Sequence, residues 1–234
     1  MTTKEQINPN KTARVAGFLY LMVALLGSFA IEVPSRLIVP GDAATTANNI
    51  MASESLFRLS IVSDLIASVI MLLLVLVLYN LLKPVHKNIA WLMVIFVVVA
   101  VPIAMLSALT HLAVLQLLSG AGYLAVFTTE QLQALGRLFL RLHSQASAIA
   151  FIFWGLWLVP LGYLAFKSGF LPRILGVLLM IACFGYLIDS FAIFFGYNTS
   201  IGLFTGLAEV LFLLWLLIKG VNVEQWQKRA LKSA

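Results

Sequence analysis

Asp64, His111, His143, Asp189 and Glu209 each stand inside a long run of apolar residues, and Glu32 stands at the end of another. A charge in hydrocarbon costs several kcal/mol, with values from about 3 to above 10. Such residues therefore face a bundle interior or a wet cavity, where they pair with one another or mark a path for ions or protons. Carboxylates and imidazoles suit two chemistries. They relay protons and coordinate small cations near neutral pH. Two histidines and a carboxylate also make a three-ligand zinc set that leaves one position for an activated water. Here that set would be His111, His143 and Asp189, with Asp64 as the alternative carboxylate, and the reaction would be hydrolysis within the membrane.

The elements that position these residues follow from composition. Of 234 residues, 62% are hydrophobic and 10% charged, against about 45–50% and about 25% in soluble domains. The apolar residues form blocks near the ~20 residues that carry a helix across a bilayer, without the alternation of a β-barrel. The expected fold is all-α, a polytopic bundle of six transmembrane helices in one membrane domain over residues 1–234. The spans read 14–34, 57–82, 89–118, 138–166, 172–196 and 200–219. SFA at 28–30 mildly resembles a signal-peptidase site, but the first span is expected to stay as a membrane helix.

An even number of spans puts both termini on one side. That side carries Lys4, Lys11, Arg14, Lys83, Lys87, Lys167, Arg173, Lys219, Lys228, Arg229 and Lys232, against Arg36, Arg58, Arg137 and Arg141 on the other. The bias places both termini in the cytoplasm of a cell-membrane protein. The net charge of +6 is then a matter of orientation, and with no basic stripe it gives no nucleic-acid partner. The partner is the lipid bilayer, with a small molecule or ion as possible ligand.

With this topology, Asp64, His111, His143 and Asp189 fall five to seven residues from the external end of their spans, roughly 10 Å deep. Glu209 lies deeper and Glu32 shallower. Each has polar company about one turn away: Ser60 and Ser68 beside Asp64, Ser107 before His111, Ser147 after His143, Tyr186 and Ser190 beside Asp189, and Thr205 before Glu209. Residues i and i+4 share a helix face. The expectation is a polar chamber open to the outside, with Arg141 or Arg137 at its rim. The competing reading is structural, with Asp189 pairing to a histidine or to Arg141 to hold helices together.

The loops carry local signals. Asp42 is expected to cap a short interfacial helix, Thr128 or Thr129 to cap the helix that enters the fourth span, and Gly136 to bend it. Gly169 suits a helix C-cap and Pro172 the first turn of the next helix. His86 reads as a solvated turn residue, and Pro102 and Pro160 as kinks. Cys183 is a buried small hydrophobe, since a single cysteine forms no internal disulfide. No inverted repeat is evident.

The segments ARVAGFLYL, SRLIVPGDAATTANNIMASESLFRLS, LYNLLKPV, FKSGFLPRILGVLL, GYLIDSF and LLIKGVN resemble the family termed domain of unknown function 4386, from about Ala13 to Asn222. The resemblance implies a bacterial multi-pass membrane protein of the inner membrane and brings no activity, cofactor or catalytic residue with it. Ser107-x-x-x-His111 faintly resembles a motif of the ceramidase and adiponectin-receptor-like metal hydrolases, although the chain has six spans and no His-x-x-x-His pair. Three functions remain open. The first is binding or moving a small solute, ion or proton. The second is zinc-dependent hydrolysis, and the third a non-catalytic subunit or sensor. A haem between His111 and His143 is a lesser option. Which residues would be catalytic is not legible.

Overall fold

The computed structural model describes residues 8–197, 199 and 201–233, without the side chains of 203–205 and 233. The described chain is helical throughout. The long elements are α1 (Pro9–Leu37), α3 (Glu54–Leu82), α4 (Lys87–Leu118), α5 (Thr129–Leu156), α7 (Arg173–Phe194) and α8 (Gly202–Ile218). Shorter ones are α2 (Ala43–Ala52), α6 (Leu158–Ser168), α9 (Val223–Ser233) and a 3-10 turn at Gly122–Leu124. Five segments are long and apolar enough to cross a membrane, α5 and α6 together forming one of them. α8 is the sixth expected span, only 17 residues long, and α9 turns away from it by 98°. The protein is an all-α polytopic membrane bundle.

The bilayer is visible in which side chains are left bare. On α3, Leu59, Val62, Ile66, Val69, Leu73 and Leu76 are exposed. Their three- and four-residue spacing draws one apolar stripe along the helix, which only a hydrocarbon solvent tolerates. The opposite face buries Phe57, Ile61, Met71, Leu74 and Leu78.

The long helices close into a ring: α1 packs on α3, α3 on α4, α4 on α5, α5 on α7, α7 on α8, and α8 returns to α1. α6 is the element that reaches across, touching α3, α4, α5 and α7. Its position follows from Pro160. Proline lacks the N–H that would bond the Leu156 carbonyl and its ring crowds that carbonyl, so α5 ends at Leu156 and α6 starts at Leu158. Leu158, Leu161, Leu164 and Ala165 of α6 are fully buried, and they fill the ring axis over one half of its depth. That half holds both ends of the described chain: Val221 N–H donates to Asn10 Oδ1 (2.9 Å), Asn222 N–H to Phe170 O (3.1 Å), and Trp226 Nε1–H to Leu81 O (2.8 Å).

The apolar core is correspondingly split. The larger cluster runs through α1, α3, α4, α6, α7 and α8 at the terminal end, from Ala13 to Trp226. A smaller one at the loop end gathers Ile50, Phe57, Ile61, Ala108, Val114, Leu115 and Leu140. Between the two lie Ser63, Asp64, Ser68, Ser107, His143 and Ser147.

Local signals are mostly met. Asp42 caps α2, accepting from Thr45 N–H (2.9 Å) and Thr45 Oγ1–H (2.6 Å). Thr128 and Gln131 form a reciprocal capping box at α5, and Gly169 takes the left-handed C-cap conformation at φ +77°. Two expectations need correction. α5 runs unbroken through Gly136, whereas the kink expected at Pro160 is present as the break between α5 and α6. Pro172 sits one residue before the first turn of α7. His86 is the exposed turn residue expected, and it also caps α4, its Nδ1 accepting from Ile89 N–H at 3.4 Å.

Two outcomes are expected. A Cβ on Gly162 would stand 2.5 Å from Gly176 O, where α6 and α7 touch, while one on Gly27 meets nothing within 4 Å. Gly162→Val should therefore cost about 1–3 kcal/mol of stability as overpacking, whereas Gly27→Ala should leave the melting temperature in detergent unchanged or raised. Thr45 bonds, with a contribution from Arg137, hold the Asp42 carboxyl below its ordinary value. A depressed folded value means the cap's contribution is full above the unfolded value of about 3.9 and fades as pH falls through the lower folded value. Hydrogen-exchange protection of α2 should stay flat from neutral to mildly acidic pH, and Asp42→Asn should remove its acid limb.

Candidate functional site

Two polar clusters form inside the ring. The first joins α4 and α5. The rings of His111 and His143 stack with centroids 3.5 Å apart and planes 16° from parallel. Phe57 of α3 closes on the other side of His111, at 4.9 Å. His143 Nδ1 lies 3.0 Å from Ser107 O; a carbonyl only accepts, so Nδ1 carries the proton of this bond. In the neutral ring Nε2 is then the acceptor, and Ser147 Oγ lies 3.4 Å from it. Ser147 Oγ also lies 3.5 Å from Ser107 Oγ, which itself donates to Ala104 O (2.7 Å). His111 is 5% exposed and among the described residues has no hydrogen-bond partner.

The second cluster joins α1, α7 and α8. Tyr186 Oη donates to Glu209 Oε1 (2.5 Å) and Tyr20 Oη donates to Oε2. Tyr20 packs on Trp157 (5.8 Å between centroids) and Phe212 (6.5 Å), so the carboxyl sits where α6 begins to fill the ring axis. Two close helix approaches make the tyrosine bonds reachable. Gly17, one turn before Tyr20, lets the Leu217 backbone come within 2.6 Å of where a Cβ would stand. Gly155 does the same for Tyr186 Cβ at 2.8 Å. Phe151 on α5, two turns beyond His143 on neighbouring stripes of the helix, meets Tyr186 at 6.1 Å and links the clusters through one aromatic ring.

Asp64 belongs to the buried face of α3, seven residues from Phe57. It is only half-buried and has no hydrogen bond or ion pair among the described residues. Its neighbour Ser63 donates to Leu26 O of α1 (2.9 Å), while Ser60 bonds back to Phe57 O (2.7 Å).

The remaining candidates are placed elsewhere. Asp189 accepts from Thr199 Oγ1–H (2.6 Å) and Ile201 N–H (3.1 Å) on Oδ1, and from Gly202 N–H (2.6 Å) on Oδ2. It ties α7 to the start of α8, as a cap contributed from another helix. Ser190 bonds back to Tyr186 O (2.7 Å), and Tyr186 turns to Glu209, so neither serves Asp189. Glu32 forms an exposed i, i+4 pair with Arg36 (2.8 Å). Arg141 is exposed and partnerless among the described residues, and Arg137 lines a small crevice with Gly136 and Ala47. The Thr205 side chain and Lys4 lie outside the described residues.

The zinc set of His111, His143 and Asp189 is therefore not assembled. The histidines meet face to face, which leaves their nitrogens pointing outward in two nearly parallel planes rather than at a common centre, and both Asp189 oxygens are taken up by the α8 start. Among the described residues no group of three or more His, Cys, Asp or Glu is placed to hold a metal. Sequence reading missed Tyr20. Its signal was present, since a phenol in mid-span needs an acceptor for its hydroxyl.

Residues 15–220 match the family model described as domain of unknown function (DUF4386). A relative from Archaeoglobus fulgidus, named only as an uncharacterized protein, is 38% identical over 149 residues, 63% of this chain and 75% of the relative. That relative is archaeal, so such sequences are not confined to bacteria. No solved structure matches the chain.

Asp189→Ala should cost about 1–2 kcal/mol, the value of a lost cap with charge-assisted bonds. The expected result is a lower melting temperature in detergent with the Tyr20–Glu209–Tyr186 cluster intact, read from unchanged near-ultraviolet tyrosine circular dichroism.

Proposed function

We propose, from the premise that this chain belongs to the DUF4386 family, that it takes up a proton or small cation from the outer side of a cell membrane and holds it at Glu209. The observation that carries this reading is the Glu209 carboxyl itself. Two hydroxyls from separate helices hold it inside a membrane bundle, with no Lys, Arg or His bonded to it among the described residues. Hydroxyl donors orient a carboxylate without neutralising it, so a proton or a cation completes the charge balance in low dielectric.

The surroundings support an approach from one side. α6 fills the ring axis on the terminal side of Glu209, and the polar residues Asp64, Ser107, His143 and Ser147 lie on the other. The basic residues of the terminal end orient that end toward the cytoplasm, which makes the polar layer outward-facing. In this reading Asp64 is the entry carboxylate, unpartnered because its ligand is transient. His143 and Ser147 offer a donor–acceptor pair for proton hopping. Tyr186 and Tyr20 fix the carboxyl at the end of the path. A zinc hydrolase would need a third ligand beside His111 and His143, and Asp189 is committed to the start of α8.

The test is flux in liposomes, with a pH-reporting dye inside and sodium, potassium or amine gradients outside. Glu209→Gln keeps the shape and an acceptor while removing the charge. It should abolish proton- or cation-dependent flux with little change in melting temperature. Wild-type flux in Glu209→Gln would sink the proposal. If Glu209→Gln and Asp64→Asn both alter stability alone, the polar layer is packing, and the non-catalytic subunit or sensor is the better account.

A further inference from the structure

The terminal end of the bundle holds a cluster of cations that lacks an anion. Lys167 Nζ lies 5.9 Å and Arg173 Cζ 5.8 Å from the centroid of the same ring, Phe166. These two cations flank the α6–α7 turn from either side. Arg229 of α9 joins them, donating Nη2–H to Lys167 O at 2.9 Å. Its Nε is buried and has no hydrogen-bond partner. No carboxylate is ion-paired to any of the three among the described residues; the acid nearest in sequence, Glu224, is taken by Lys228 (2.5 Å). Like charges around one ring repel, and a buried N–H without an acceptor is destabilising. An anion placed among the three would relieve both.

The position says which anion. α9 leaves α8 at 98°, so it lies along the plane of the membrane surface when α8 stands across it. Trp226 pins it there by bonding Leu81 O. Val223, Trp226 and Ala230 recur at helical spacing on one face, while Lys228 and Lys232 are exposed. That is the pattern of a basic helix at the headgroup level. Arg173 also opens α7, whose first turn has no side-chain cap, adding N–H groups that favour negative charge.

We infer that Lys167, Arg173 and Arg229 form a binding site for the phosphate of an anionic phospholipid headgroup in the leaflet at this end. On binding, the Arg229 side chain turns its buried Nε–H outward to a phosphate oxygen. Arg173 and Lys167 close on the headgroup from the α7 and α6 sides. The acyl chains run down the exposed apolar surface of α7, which offers Ile174 and Ile181. The inference is independent of what happens at Glu209.

The test uses the full chain in a neutral detergent, titrated with short-chain phosphatidylglycerol, short-chain phosphatidylcholine or inorganic phosphate. Melting temperature and native mass spectrometry are read in parallel. Phosphatidylglycerol should raise the melting temperature and stay bound, with phosphatidylcholine doing neither. Arg173→Gln and Lys167→Gln, both exposed, should each weaken phosphatidylglycerol binding about fivefold, the effect of one surface cation. Lys87→Gln removes a charge elsewhere at the same end and should leave it unchanged. Should Arg229→Gln unfold the chain, Arg229→Lys keeps the charge and removes the Nε–H, with the same expected loss. Three results would overturn the proposal: equal responses to the two lipids, an equal response to inorganic phosphate, or equal losses in Lys87→Gln and Arg173→Gln.

Discussion

A carboxyl in the middle of a membrane bundle has to be hydrogen-bonded by the protein, because no solvent will do it. Glu209 meets that requirement with Tyr20 and Tyr186, from helices on either side of α8. Tyrosine reaches only as far as its rigid ring allows, so both flanking helices must come close. Gly17 permits it on one side, against the Leu217 backbone, and Gly155 draws Tyr186 against α5 on the other. The ring closure of α8 onto α1 and the seating of α7 against α5 are thus the same requirement seen from two sides. Trp157 and Phe212 complete it by packing on the Tyr20 ring from within the bundle.

The split of the apolar core follows. α6 can fill the ring axis only beyond Pro160, where the long α5 helix breaks and leans inward. On that side the packing is that of an ordinary apolar interior, with Leu158, Leu161 and Leu164 fully buried. On the other side the six helices meet only their neighbours around the ring. Serines and histidines take the positions that apolar side chains fill below. Small residues at helix contacts are the usual means of association in lipid, where no hydrophobic force drives helices together. Ser107 and Ser147 serve that purpose where α4 meets α5, and Ser63 where it bonds the α1 backbone.

The helices and their ends were legible because hydropathy and caps are local. Asp42, Thr128 and Gly169 each announce an end through their own backbone needs, and the structure agrees at all three. Lateral convergence was not legible. Asp64, His111, His143 and Asp189 share a depth in the sequence reading, yet depth says nothing about azimuth. Only His111 and His143 meet. Asp189 shows why: its value lies in the backbone N–H groups of a helix start twelve residues on, and a backbone donor has no residue type to read. The break at Pro160 rather than Gly136 has a plain cause. Proline removes a donor and clashes with the preceding turn, while a glycine in a packed helix loses only conformational restraint.

The two ends of the molecule divide their charges by kind. At the loop end the cations Arg36 and Arg58 are spent on acids one turn away, Glu32 and Glu54, which leaves little net field at the mouth of the ring. At the terminal end the cations far outnumber the acids, and Lys228 alone has a carboxylate partner among the described residues. Lys167, Arg173 and Arg229 have no carboxylate partner among the described residues, and a headgroup phosphate is the anion proposed to join them. The polar layer around Asp64 and Glu209 has the opposite arrangement, with acids and no bonded cation. In the proposed readings, one end is completed by a negatively charged surface and the other by a positive charge arriving from solution.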